Sequence, residues 1–196
     1  MKKILSILLV SSALPAFADS QAGGFSGEVM LGLADQETKV QGAKSSGDDT
    51  SLGFRLSYSV TENVLLELGY SQYGEAENNY VDSFGDSISE TMESSAFKAG
   101  VAAYAPLNDD FGLLARVGLS KWDYDFEATD SSAPGQVFKA DDSGTDFYYG
   151  VGMRFNLNEK VFSSIDYTIT KMDMEYQGVS VDHEVKNLSV SIGTRF

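Results

Sequence analysis

Strict alternation of apolar with polar or small residues recurs in eight stretches of about ten residues, and it constrains the fold more than any other feature of the chain. Within residues 51–60, for example, leucine, phenylalanine, tyrosine and valine fall on one face, while serine, glycine and Arg55 fall on the other. A period of two residues is that of a β-strand with two different faces. The eight stretches are 25–33, 51–60, 64–71, 97–105, 111–120, 147–155, 161–169 and 188–196.

The connections between these stretches alternate between short and long. In chain order they are 35–49, 61–63, 74–93, 107–110, 123–146, 158–160 and 172–186. An up-and-down meander with tight turns at one rim and long loops at the other produces this order. The sequence therefore predicts an all-β fold, an eight-stranded antiparallel barrel with four long loops at one end.

The first eighteen residues have the features of an export signal. Lys2 and Lys3 precede a short apolar run, 4–10, and the small residues Ala16 and Ala18 form a cleavage pattern. We therefore expect a signal peptide at residues 1–18 and a single barrel domain at 19–196. The chain has no cysteine, which excludes disulfides and thiolate metal sites and suits a bacterial envelope protein.

The net charge of −15 disfavours nucleic acid as a partner, because phosphate binding needs a basic surface. The four predicted long loops hold 21 acidic and four basic residues, while the rest of the exported chain is balanced. One interpretation is that acidity only keeps an exposed surface hydrated. The other is that the loops attract divalent cations or a cationic surface partner.

The direction of the apolar face separates two kinds of barrel. A soluble ligand-binding barrel turns it inward, and a membrane barrel turns it outward to lipid. Aromatic residues cluster near both ends of the apolar face, as in the girdles of membrane barrels. The other face carries glycine, serine and charges of both signs, which suits a narrow interior. We therefore predict a transmembrane barrel with lipid outside.

An eight-stranded barrel is only wide enough for side chains to fill its interior. The charges on the inner face are therefore predicted to form a packed ionic network, with a narrow channel as the alternative. The predicted network consists of Glu28, Arg55, Glu67, Lys98, Arg116, Arg154 and Asp166.

The C-terminal stretch, in which Leu188, Val190 and Ile192 alternate with small residues before Phe196, resembles the last strand of outer-membrane β-barrel proteins. Residues 148–152 and 165–167 are similar to strand patterns of the OmpA-transmembrane and OmpX-type eight-stranded barrels. The resemblance implies a bacterial outer-membrane location among lipid and lipopolysaccharide. It also implies that the barrel-assembly machinery reads Leu188, Val190, Ile192 and Phe196, that periplasmic chaperones assist, and that the barrel is a monomer.

The same resemblance implies a structural, envelope-integrity or adhesin-like surface role. Lipid A deacylases of this barrel type use a His-x-Ser pair, but the only histidine, His183, has Val185 where the serine would be. We therefore expect no catalytic residues, no cofactor and no metal site, and His183 as a solvated loop residue. A lipid A-modifying enzyme with unrecognised residues stays open as a third possibility.

Overall fold

The computed structural model describes residues 23–40, 43–133, 135–176 and 179–196. The predicted signal peptide lies outside this part of the chain. Eight antiparallel strands form one closed barrel in which each strand pairs with its neighbours in sequence and β8 pairs with β1, so the predicted fold class is confirmed. The strands are β1 Phe25–Val40, β2 Ala43–Thr61, β3 Val64–Val81, β4 Ser87–Pro106, β5 Phe111–Asp130, β6 Val137–Asn156, β7 Val161–Tyr176 and β8 Val179–Arg195.

The prediction of four long loops is wrong, because the strands continue through most of those segments. In the first of them, β1 and β2 remain paired from Asp35 opposite Asp48 up to Val40 opposite Ala43. The strands are 16 to 20 residues long, whereas about 9–11 residues cross a bilayer. Beyond the lipid the outer face meets water and becomes polar, so the apolar alternation ends although the strand does not.

The apolar face points outward, as predicted. Val29, Leu56 and Val117 are 59%, 52% and 56% exposed, whereas Glu28 and Arg55, which immediately precede the first two, are buried. A closed barrel pairs every strand with two neighbours and leaves no edge for lipid to contact. Among the described residues there is no helix with the length and apolar character needed to cross a membrane.

Two aromatic belts mark the lipid-facing part of the barrel. At the end with the tight turns, the ring centroids of Phe25 and Tyr58 are 4.9 Å apart. At the other end, Tyr70 packs against Phe54 at 6.1 Å and against Phe97 at 4.7 Å. The part of the barrel beyond this second belt, here called the extension, consists of the described residues within 34–51, 71–96, 120–146 and 170–187.

Candidate functional site

The interior of the lipid-facing part is occupied by five charged side chains, here called the charged cluster. Arg55 donates from Nη1 to Glu28 Oε1 at 2.8 Å and to Asp166 Oδ2 at 3.3 Å. Arg116 donates from Nε to Glu67 Oε2 at 3.2 Å and from Nη1 to Asp166. All five residues are buried, so the two guanidinium groups and three carboxylates neutralise most of one another's charge away from water.

Strand register and glycine bring these side chains together. Glu28 and Arg55 face each other directly across β1 and β2. On β6, glycine stands opposite Arg116 and also opposite Asp166, and a Cβ at Gly152 would collide with the Asp166 carboxylate. The alternation of long charged residues with glycine on the inner face therefore leaves the space that the cluster fills.

Lys98 belongs to the predicted network but lies outside the charged cluster. Its Nζ is 5.1 Å from the ring centroid of Tyr73 and 5.3 Å from that of Tyr148, and it donates to Ser71 Oγ at 3.4 Å. In the described part of the chain it makes no ion pair. Lys98 is therefore held by two aromatic rings in place of a carboxylate.

Arg154 is the second predicted member that the structure places elsewhere. Its guanidinium lies 4.3 Å from the ring centroid of Phe162 and 5.6 Å from that of Tyr104. Within the described residues its Nε and Nη2 atoms have no hydrogen-bond partner and no carboxylate pairs with it. The sequence pattern put seven residues on one inner face, and the structure brings five of them together.

Above the charged cluster, on the extension side, the interior is filled by apolar side chains that sequence reasoning missed. They are fully or almost fully buried, and Tyr73 Oη lies 2.9 Å from Thr170 Oγ1. The available signal was a period of two that continues beyond the predicted strands and into the segments assigned to loops. This apolar layer consists of Tyr73, Met92, Trp122, Met172 and Val185.

The prediction that His183 is a solvated loop residue is wrong. It lies inside the extension with 1% of its surface exposed, and its ring centroid is 4.6 Å from that of Tyr124. Its Nδ1 is 2.8 Å from Thr38 Oγ1, and no partner for Nε2 occurs among the described residues. Burial lowers the pKa of His183 to about 4, so the imidazole is neutral at pH 7.

The predicted assembly-signal residues lie on the strand that closes the barrel. Leu188, Val190 and Ile192 are exposed on the outer face of β8. Phe196 follows the strand and donates its backbone N–H to the carbonyl of Phe25 at 2.8 Å. These residues therefore sit where the first and last strands meet.

In the part of the protein that the structure describes, no three histidine, aspartate or glutamate side chains are grouped so that they could hold a metal ion. Carboxylates inside the lipid-facing part are already bound by Arg55 and Arg116.

A family model described as outer membrane protein beta-barrel domain matches residues 4–196. No curated protein matches the chain. Ail, the attachment invasion locus protein of Yersinia pestis, is 17% identical with a TM-score of 0.54, over 89% of this chain and 99% of that one. OprG from Pseudomonas aeruginosa is 14% identical with a TM-score of 0.56, over 90% and 97%. Neisserial surface protein A is 13% identical with a TM-score of 0.51, over 87% and 97%. These structures share the fold.

The charged cluster generates a prediction about coupling. Replacing Glu67 with Gln or Arg116 with Met should each destabilise the barrel by about 3–5 kcal/mol, because the partner is left buried without its counter-charge. The free energy of unfolding of the double variant should fall by less than the sum of the two single losses, with a difference of at least about 1 kcal/mol. The measurement is urea unfolding from lipid vesicles. The control is the same cycle with Glu67→Gln and Lys98→Met, because Lys98 lies outside the charged cluster. A coupling energy between Glu67 and Lys98 as large as that between Glu67 and Arg116 would contradict the five-residue cluster.

His183 generates a prediction about pH. Protonation is harder in the folded than in the unfolded protein, so the unfolded state takes up the proton first and stability falls as pH falls from about 6.5 towards 4. With the pKa at about 4, the loss attributable to His183 is about 3 kcal/mol. His183→Asn keeps an acceptor for Thr38 and does not titrate there. Unfolding measured from pH 7.5 to 4 should show the wild type losing stability relative to the variant; a constant difference would refute a buried neutral His183.

Proposed function

The chain belongs to the outer membrane β-barrel domain family and lies in the bacterial outer membrane, and from this premise we propose that it is a closed, non-enzymatic surface barrel whose acidic extension attracts cations. The observation that carries the proposal is the charge on the outer face of the extension. The proposed role is one of surface interaction and envelope integrity.

Acidic residues face acidic residues across neighbouring strands of the extension. All eight members of four such pairs are exposed, and none makes an ion pair within the described residues. Like charges directly opposite each other destabilise a sheet. The pairs are Asp35 with Asp48, Glu75 with Glu93, Asp125 with Asp141, and Asp173 with Asp182.

A fifth acidic pair shows how a nearby cation relieves this repulsion. Glu37 stands opposite Glu184 on β8, and its carboxylate is 2.7 Å from Lys39 Nζ and 2.6 Å from Lys44 Nζ. The hydrogen bonds from these lysines lower the pKa of Glu37 to about 2. The carboxylates of the other four pairs are not within ion-pair distance of any lysine in the described part of the chain, although Lys186 stands opposite Asp35 and Lys39 opposite Asp182. Cations from outside the chain are therefore their proposed partners.

The proposed cations are divalent ions that also bind the phosphates of neighbouring lipopolysaccharide, or a basic surface partner. Ail has been solved in complex with a heparin analogue, sucrose octasulfate. A polyanion of that kind would be repelled by an extension with 21 acidic and six basic residues. The charge therefore favours a cationic partner over a sulfated one.

The filled interior supports a surface role over a channel. The charged cluster and the apolar layer lie one above the other and place ten buried side chains across the interior of the barrel. An eight-stranded barrel leaves no further width beside them. A narrow channel is therefore the weaker candidate.

The surroundings of the only histidine support the absence of catalysis. His183 bonds to Thr38 through Nδ1, and the ring lies against Tyr124. No serine–histidine–carboxylate arrangement occurs among the contacts of the described residues. We also propose that the barrel is a monomer, and that periplasmic chaperones and the barrel-assembly machinery handle it through the exposed apolar face of β8.

The acidic pairs generate the test of the proposed function. A four-fold variant that neutralises two pairs should be more stable than the wild type by about 1 kcal/mol without divalent ions, because repulsion is removed. Calcium should stabilise the wild type and should stabilise the variant less. The measurement is unfolding from vesicles, with and without calcium, over a salt series. The substitutions are Asp35→Asn, Asp48→Asn, Glu75→Gln and Glu93→Gln.

A matched control removes the same number of charges from the opposite rim of the barrel. There the acidic side chains do not face one another across strands, so calcium should act on this variant as on the wild type. Equal effects of calcium on all three proteins at every salt concentration would show that the acidity serves hydration alone. The control substitutions are Glu62→Gln, Asp109→Asn, Asp110→Asn and Glu159→Gln.

A further inference from the structure

The interior of the extension opens into a cavity of about 950 Å³, here called the cup. Its closed end is formed by Thr38 and Tyr124, whose hydroxyl oxygens lie 3.3 Å apart. Thr38 also contacts His183 Nδ1 at 2.8 Å and Met92 Sδ at 3.4 Å, which ties these lining residues to the apolar layer. The cup is therefore blind: a molecule can enter from outside, but the filled interior lies beneath it.

The walls of the cup are largely apolar and partly aromatic. Phe126 and Phe138 meet edge to face with ring centroids 6.3 Å apart, and both line the cavity. Val40, Met174 and Val181 complete the apolar wall. A concave apolar surface of this volume is the usual form of a small-molecule site, and aromatic faces also attract cations.

One corner of the cup is polar and centres on the carboxylate of Glu90. Ser45 Oγ and Asn78 Nδ2 donate to Glu90 Oε2 at 2.5 and 3.2 Å, and Tyr80 Oη donates to Oε1 at 3.0 Å. These three neutral donors fix the position of the carboxylate without neutralising its charge. All four residues line the cavity.

The negative charge at the cup is not balanced from within the described part of the chain. Glu90 has no ion-pair partner there, and Asp142, which also lines the cup, accepts only the backbone N–H of Ser143. The single lysine at the cup, Lys44, is 2.6 Å from Glu37. A fixed, uncompensated carboxylate beside aromatic walls matches an ammonium group attached to an apolar body.

We propose that the cup is a binding site for a small amphiphilic amine, with its ammonium group on Glu90 and its apolar body against Phe126 and Phe138. This site goes beyond the proposed function, which concerns the outer face of the extension. Because the cup is blind, the site retains its ligand at the cell surface and does not pass it inward.

Three probes with the same naphthyl body separate charge from apolar contact: naphthylethylammonium, naphthylethanol and naphthylpropionate. Binding to the protein in phosphatidylcholine vesicles is measured by calorimetry, with empty vesicles as the blank. The ammonium probe should bind about tenfold more tightly than the alcohol, and the carboxylate most weakly. Trp122 is the only tryptophan and packs in the same cluster as Tyr124, so a brominated ammonium probe should quench its fluorescence.

Paired variants locate the site. Glu90→Gln should remove the advantage of the ammonium probe over the alcohol, whereas Glu77→Gln, one residue from Asn78 on the exposed face of β3, should keep it. Ala140 lines the cup opposite Phe126, so Ala140→Phe should abolish binding of the ammonium and alcohol probes. Lys139→Phe adds the same bulk one residue away and is the control, in which binding of both probes should be retained. Each variant is first shown to be folded by gel electrophoresis, in which a folded membrane barrel migrates differently when the sample has not been boiled.

Three results would overturn the proposal. They are binding no greater than to empty vesicles, an ammonium preference that survives Glu90→Gln, and binding that survives Ala140→Phe but is lost when Asp35, Asp48, Glu75 and Glu93 are neutralised. The last result would assign the probe to the outer face and leave the proposed function standing. Absence of the predicted calcium effect together with retained probe binding in the cup would contradict the proposed function and leave the binding site in the cup standing.

Discussion

Closure of the backbone hydrogen-bond ladder in lipid is the constraint on which the rest of the structure depends. Lipid offers no partner for a free strand edge, so β8 must pair with β1 along its length. Eight strands give a narrow interior, and that width decides what the inner face can contain. Long charged side chains of the charged cluster fit because each stands opposite a glycine, and they pair with one another, as Arg116 does with Glu67 and Asp166. Lys98 and Arg154 lie against aromatic rings instead.

Because the interior of the lipid-facing part is filled, the surfaces available for interaction with other molecules lie in the extension. The strands continue well past the second aromatic belt, and this part of the barrel has two chemically different surfaces. Its outer face places acid opposite acid, for which cations are the proposed partners. Its inner face forms the cup, where a fixed carboxylate meets aromatic walls. The two proposed sites of interaction are therefore separate, because successive side chains of a strand point to opposite faces.

The sequence predicted the parts of the structure that depend on local alternation. Leu56 and Val117 identified the lipid face because both lie in regular apolar repeats. The extension was missed because outward residues such as Asp48 are as polar there as residues of a loop. Trp122 and His183 were missed with it, since Trp122 lay between a predicted strand and a predicted loop and His183 was assigned to a loop. Lys98 and Arg154 share the inner face of the cluster, but cross-strand register and nearby aromatic rings, which no local pattern encodes, decide their partners.

The most direct test of the central claim, that the interior is closed, is single-channel recording in planar lipid bilayers, with a known porin in the same membranes as a positive control. The charged cluster and the apolar layer are two barriers in series across the narrow interior. The account predicts that the folded protein inserts, as shown by its recovery from the bilayer lipid, but gives no steady conductance. Large, stable single-channel steps from the wild-type barrel would contradict it.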